Sequence, residues 1–202
     1  MIRPLRVTGT AITAVLVALT IASCSGGATT APGAAEVATR SVSPSATPTP
    51  TEHIADSWTF DYQGATGRFK FTGNEADPAV AAVEQARATV SGQPVTLVPV
   101  VIDNTAGTES LNMYGITVVT KDGQQIESID LADKFSSWQD AAGDDADKYN
   151  ALVDANNKYA MFDLAASAKG TALVAFDRPI TSAWRVTVMP AGGFDKVAAT
   201  AD

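Results

Sequence analysis

Cys24 is the only cysteine of the 202-residue chain, and its neighbours define the chemistry open to it. It follows Ile21-Ala22-Ser23 at the end of an apolar run, Ala11 to Ala22, broken only by Thr13 and Thr20. Arg3 and Arg6, with no acid beside them, give the run a positive leading end. Its length suffices to engage a secretion channel but falls short of the ~20 apolar residues a membrane-spanning helix needs. Ala22 and Ser23 are small, as a signal peptidase requires, and an aliphatic residue at Ile21 suits the lipoprotein form of that cleavage. These residues predict that the Cys24 thiol is alkylated by diacylglycerol and that residues 1–23 are then removed, leaving a lipidated Cys24 at the N-terminus. Two other readings fit the same residues: an ordinary secretory signal with a chance cysteine, and an uncleaved N-terminal anchor helix. Arg3 and Arg6 are not adjacent, so no twin-arginine signal is present. One cysteine permits no intramolecular disulfide, so the folded part relies on its core.

The remaining reactive groups are few. His53 is the only histidine and sits where a polar tether meets the folded region, a place that predicts a solvated side chain rather than a catalytic one. One histidine and one lipidated cysteine cannot make a zinc set, and no glycine-rich phosphate loop follows a strand. Asp140-Ala141-Ala142-Gly143-Asp144-Asp145-Ala146-Asp147 has the acidity of a calcium loop. Counted from Asp140, however, Ala142 and Ala151 stand where an EF-hand needs ligands, so a solvated acidic helix start is the expectation and only a nonstandard calcium site remains as the alternative. No cofactor is expected. Trp138, Tyr149 and Tyr159 stud the same acidic stretch. They are the candidate ligand-binding residues, because insertions on rigid scaffolds are where function concentrates. The alternative is that these rings simply dock the segment onto the domain.

Residues 24–52 are rich in Ser, Gly, Ala, Thr and Pro, ending in Ser43-Pro44-Ser45-Ala46-Thr47-Pro48-Thr49-Pro50-Thr51. Such a segment cannot bury enough surface to offset its ordering entropy and is expected to be a disordered spacer, with O-glycosylation as an added hypothesis. Residues 53–202 then form one domain of ordinary size. Removing residues 1–23 takes Arg3 and Arg6 from the 14 basic residues and none of the 22 acidic ones, leaving 12 against 22 and a formal charge of −10. That balance argues against nucleic acid and against electrostatic adhesion to anionic lipid.

Within the domain, Trp58 to Tyr62 and Phe69 to Phe71 alternate apolar and polar residues, predicting a hairpin that turns over Gly64–Gly67. Asp77-Pro78 starts a helix to about residue 90, with Val80, Val83 and Arg87 on one side. Pro94 to Ile102 reads as a core strand in which Pro99 demands an edge or a bulge. Tyr114 to Val119 and Gln125 to Ile129 flank Asp122-Gly123 as a second hairpin. Residues 132–160 predict a helical or irregular insertion, with Tyr149, Leu152 and Val153 as its i, i+3, i+4 set. Strands return at Thr171 to Phe176 and Trp184 to Met189, where Trp184, Val186 and Val188 share a face; Trp58 and Trp184 are core candidates. The expectation is a mainly β protein, an immunoglobulin-like β-sandwich with one short helix and the insertion.

Leu97 to Asn104, Asp122-Gly123 and Lys169-Gly170-Thr171-Ala172-Leu173-Val174-Ala175-Phe176-Asp177 together resemble the telokin-like, immunoglobulin-type domain of unknown function found in Gram-positive lipoproteins. The similarity covers roughly residues 94–189 and departs from the pattern at the helix near 78–90 and the insertion at 132–160. It implies an extracellular sandwich and carries no catalytic motif. The resulting expectation is a protein lipid-anchored on the extracytoplasmic face of the cell membrane, held by its diacylglyceryl group. Its domain is expected to bind an envelope protein or small ligand without catalysis. A structural or antigenic surface protein is the alternative, and a hydrolase using some of the 22 acids is a third reading.

Overall fold

The computed structural model describes residues 52–192 and 195–202. The signal over 1–23, Cys24 and the tether as far as Thr51 lie outside the described residues. The first hairpin joins β1 (Trp58–Tyr62) to β2 (Ala65–Phe69), with Trp58 opposite Phe69 and Tyr62 opposite Ala65. Its turn is tighter than the glycine spacing predicts. Gln63 and Gly64 make it alone, both at positive φ (48° and 87°), the primed geometry that matches strand twist. Gly67 lies inside β2 instead; a Cβ there would stand 2.1 Å from Phe60 Cε1, so the glycine makes room for that ring.

α1 (Pro78–Thr89) starts as its sequence predicts: the Asp77 carboxylate accepts from the amides of Ala79 and Val80, and Pro78 occupies the first turn, where no donor is needed. β3 (Thr96–Asp103) follows, then β4 (Gly115–Val119) and β5 (Gln125–Glu127) around the Asp122-Gly123 turn, with Gly123 at φ 85°. The segment 132–160 is helical. α2 (Leu131–Ala142) and α3 (Ala146–Tyr159) form a hairpin around Gly143, whose φ of 58° ends the first helix. β6 (Lys169–Phe176), β7 (Arg185–Met189) and β8 (Val197–Ala201) complete the chain.

The eight strands make one antiparallel sheet in the order β5-β4-β7-β8-β1-β2-β3-β6. The mainly β expectation holds, but the strands do not divide into two packed sheets. β8 is the reason. Its first residues, Val197 to Ala199, pair with β7, and its last, Thr200 and Ala201, pair with β1, which joins the two halves into a continuous ladder. The terminal strands also approach each other: Ile129, just past β5, donates its amide to Ala175 O of β6 at 2.8 Å. The sheet is therefore barrel-like and nearly closed.

Its inner face holds the main core. Val98, Val100 and Ile102 of β3 point inward with Ala172, Val174 and Phe176 of β6 and Val186 and Val188 of β7. Phe71 sits edge-on to Trp58, Phe69 and Phe176 at centroid distances of 6.3, 5.4 and 6.1 Å; each such pair contributes about 1 kcal/mol beyond its buried area. The intervening residues Leu97, Leu173 and Ala175 face outward and meet the three helices in a second core with Val83, Phe135, Trp138 and Leu152. Trp58 is buried as predicted, whereas Trp184 precedes β7 and is only half-buried, with Arg185 over its ring at 5.8 Å. Pro99 fits because of register. β2 pairs with β3 only over Val100 to Asp103, so beyond that point β3 has β6 alone as a neighbour and the missing N–H of Pro99 breaks no ladder.

Candidate binding site

The three aromatic residues singled out in the sequence do not converge. Trp138 lies in the second core, 2% exposed and edge-on to Phe135 at 5.0 Å. It packs so closely on Gly92 that a Cβ there would be 2.4 Å from Trp138 Cδ1. Its Nε1 is buried without an acceptor, so the ring is an apolar anchor and no surface contact. This corrects its candidacy as a ligand-binding residue. Tyr149, in the first turn of α3, is exposed, whereas Leu152 is buried in the second core and Val153 half-buried. Tyr159 ends the same helix, half-buried, with Lys158 Nζ 5.1 Å from its ring centroid. Ten residues of helix separate the two tyrosines, about 15 Å of rise. Tyr159 lines a shallow apolar groove between α1 and α3 with Ala82, Ala86 and Ala155.

The acidic stretch has structural work. The Asp145 side chain accepts from Lys148 N at 3.1 Å as the cap of α3, and its contact with the Lys148 ammonium lowers its pKa below the usual carboxylate range. Asp147 lies in the first turn, where the helix dipole favours an acid. His53 is held more firmly than a solvated junction residue would be. Nδ1 meets Asp56 Oδ2 at 2.6 Å, the backbone amide donates to Ala183 O, the carbonyl accepts from Trp58 Nε1, and the ring stands edge-on to Trp58 at 6.2 Å. It ties the start of the domain to the core rather than entering a cleft.

A cavity that the sequence did not point to lies at the seam where the sheet fails to close. It holds about 460 Å³ between the segment leading into β4, the segment between β5 and α2, residues 160–163 after α3, and β6. Tyr114, Met161 and Phe162 supply an aromatic and thioether wall, Ile129 and Leu173 an aliphatic floor, and Asp130 and Asp163 carboxylates. No Lys, Arg or His is among the lining residues. Tyr114 is 63% exposed and Met161 66%, two of the four large apolar side chains left open to solvent among the described residues. Their placement follows from local backbone. Asn112 and Met113 both donate to Pro190 O and Tyr114 donates to Met189 O, so the chain enters β4 as a bend with Met113 at φ 53°. A non-glycine residue there costs of order 1–3 kcal/mol, and such strain clusters at functional sites. The bend buries Met113 and turns Tyr114 outward instead of starting the strand with it. On the opposite wall, Leu111 and Leu164 exchange both backbone hydrogen bonds at 2.9 Å and pin residues 161–163 at the rim. Asp130 Oδ1 accepts from Ala132 N at 2.8 Å as the cap of α2, and Ser128 Oγ accepts from Ile116 N at 2.9 Å. The arrangement suits a ligand with an apolar body and a positive group.

No family model, curated protein or solved structure matches the chain.

Proposed function

We propose that the chain is an exported lipoprotein, anchored through diacylglycerol on Cys24 to the extracytoplasmic face of the cell membrane. Its domain, raised on the Ser/Thr/Pro tether, is a non-enzymatic module that binds an envelope protein or small ligand in the seam cavity. The anchor rests on Ile21-Ala22-Ser23-Cys24, the basic leading end and the apolar run. The observation that carries the binding reading is the exposure of Tyr114 and Met161 on either side of a concave site, since soluble domains seldom leave such residues together in water without a partner. The immunoglobulin-type relationship belongs to the same proposal. It is supported by the roles of Asn104, the Asp122-Gly123 turn and Gly170, which lies beneath Leu164 and Phe162.

Burial of Trp138 and the separation of Tyr149 from Tyr159 favour a second reading, a structural or antigenic surface protein without a dedicated ligand. Titration with phenethylammonium, an aromatic ring carrying one positive charge, separates the two. Under the binding reading, calorimetry of the full chain gives saturable heat that falls in Tyr114→Ala and in Asp163→Asn. Absence of heat at millimolar probe leaves the structural reading. The anchor is tested separately: Cys24→Ala should move the protein from the membrane fraction to the medium or accumulate uncleaved precursor, and unchanged detergent-phase partitioning would remove it.

A further inference from the structure

Backbone parity along β6 says what kind of molecule the seam takes. Ala175 turns its carbonyl away from β3, to the Ile129 amide. In an antiparallel ladder the hydrogen-bonding direction alternates residue by residue. The pairs Leu97 with Ala175 and Pro99 with Leu173 are therefore the non-bonded kind, as the missing N–H of Pro99 requires, and Leu173 and Thr171 direct both N–H and C=O out of the free edge of β6. The cavity opens beside Leu173, and neither residue has a backbone or side-chain hydrogen-bond partner there among the described residues. An edge with two unpaired peptide groups is a template for one more strand.

Resting on the seam as the binding site, we propose that its ligand is an extended, positively charged peptide segment that adds as a strand to β6 at Thr171 and Leu173. An alternate apolar side chain packs against Tyr114 and Met161, and a Lys or Arg side chain meets Asp130 and Asp163. Charge complementarity selects this occupant: the lining carries two acids and no base, on a chain with a formal charge of −8. The chain's own tether is a poor candidate, because between residues 25 and 52 Arg40 is the only basic residue and Pro44, Pro48 and Pro50 lack the donors a strand needs.

The test uses the full chain, a blocked hexapeptide of alternating lysine and valine, its counterpart N-methylated at alternate amides, a glutamate–valine hexapeptide, and phenethylammonium. Strand addition predicts that the lysine–valine peptide binds and protects the amides of Thr171 and Leu173 from exchange. N-methylation should weaken it about tenfold or more, for two lost backbone bonds, and the glutamate peptide should not bind. Thr171→Pro, at an exposed edge position outside the cavity lining whose N–H is turned away from β3, should fold and lose the peptide while keeping phenethylammonium. Phenethylammonium binding without the lysine–valine peptide, or indifference to N-methylation, overturns strand addition and leaves the seam as a small-ligand site. Loss of both probes overturns both. Protection of the Leu173 amide before peptide is added also overturns the proposal, assigning the edge to the chain's own N-terminal segment if it is independent of concentration and to a second copy if it grows with concentration.

Discussion

Asn104 holds one end of the seam, and its removal has a cost that follows from geometry. The side chain is 1% exposed, and Nδ2 donates to Glu109 O at 2.8 Å and Ala165 O at 3.1 Å. One carbonyl precedes Leu111 and the other follows Leu164, so the amide joins the two segments whose mutual bridge pins the rim. Asn104→Ala forfeits two neutral hydrogen bonds at about 1 kcal/mol each and orphans two carbonyls, for a total of about 2–4 kcal/mol. With a urea slope of about 2 kcal/mol/M for a domain of this size, the midpoint should fall by about 1–2 M. Asn104→Asp should cost at least as much at neutral pH, because a carboxylate can only accept and would face two carbonyl oxygens. Gly107 offers an internal control: a Cβ there would stand 1.8 Å from Asn104 Oδ1, so Gly107→Ala must displace the same amide. The two changes should be sub-additive by 1 kcal/mol or so in a double-mutant cycle. A midpoint change worth under about 0.5 kcal/mol for Asn104→Ala, or strict additivity with Gly107→Ala, would refute the reasoning.

Trp138→Ala should cost about 3–5 kcal/mol as a large core deletion, and Gly92→Ala about 1–3 kcal/mol through overpacking against the same ring. Urea denaturation reads both, and a Trp138→Ala cost near zero would return the ring to the surface. The Asp103 carboxyl is held down to about 2 by the Lys169 ammonium at 2.6 Å and by Thr105. A depressed folded pKa stabilises above the unfolded value and is lost as pH falls through the folded one. The advantage of wild type over Asp103→Asn should therefore be full above about pH 4 and decline toward pH 2, and an advantage independent of pH across that window would disprove the linkage. Tyr114→Ala and Met161→Ala, at exposed positions, should change stability by no more than about 0.5 kcal/mol while weakening phenethylammonium binding several-fold. Large destabilisation would make them packing residues instead.

Local signals predicted the elements that local chemistry dictates. Asp77-Pro78 set the start of α1, Asp122-Gly123 set the second hairpin, and the spacing of apolar residues over 132–160 admitted a helical or an irregular insertion, of which the helical form is found. Pro99 announced an interrupted ladder before any register was known. What escaped was long-range. β8 reads Val-Ala-Ala-Thr-Ala, a composition with little strand propensity, and only tertiary pairing with β7 and β1 makes it a strand. Without it the pairings make two separate ladders, β1-β2-β3-β6 and β5-β4-β7; with it they form one. The seam was missed for the same reason. Tyr114 reads as the first residue of a strand until Pro190 captures the two preceding amides, and Met161-Phe162 is a two-residue apolar cluster outside any periodic pattern. Trp138 shows the converse error: an aromatic residue among acids suggested a surface patch, but its helical spacing from Leu131 and Phe135 put it inside.

Residue-resolved native hydrogen exchange along β6 tests the open seam most directly. Ala172 and Val174, bonded to β3, should be protected, and Thr171 and Leu173, facing the unpaired edge, should exchange far faster. Uniform protection of all four amides would mean that the edge is covered and the barrel closed, contradicting the site from which the proposed function is drawn.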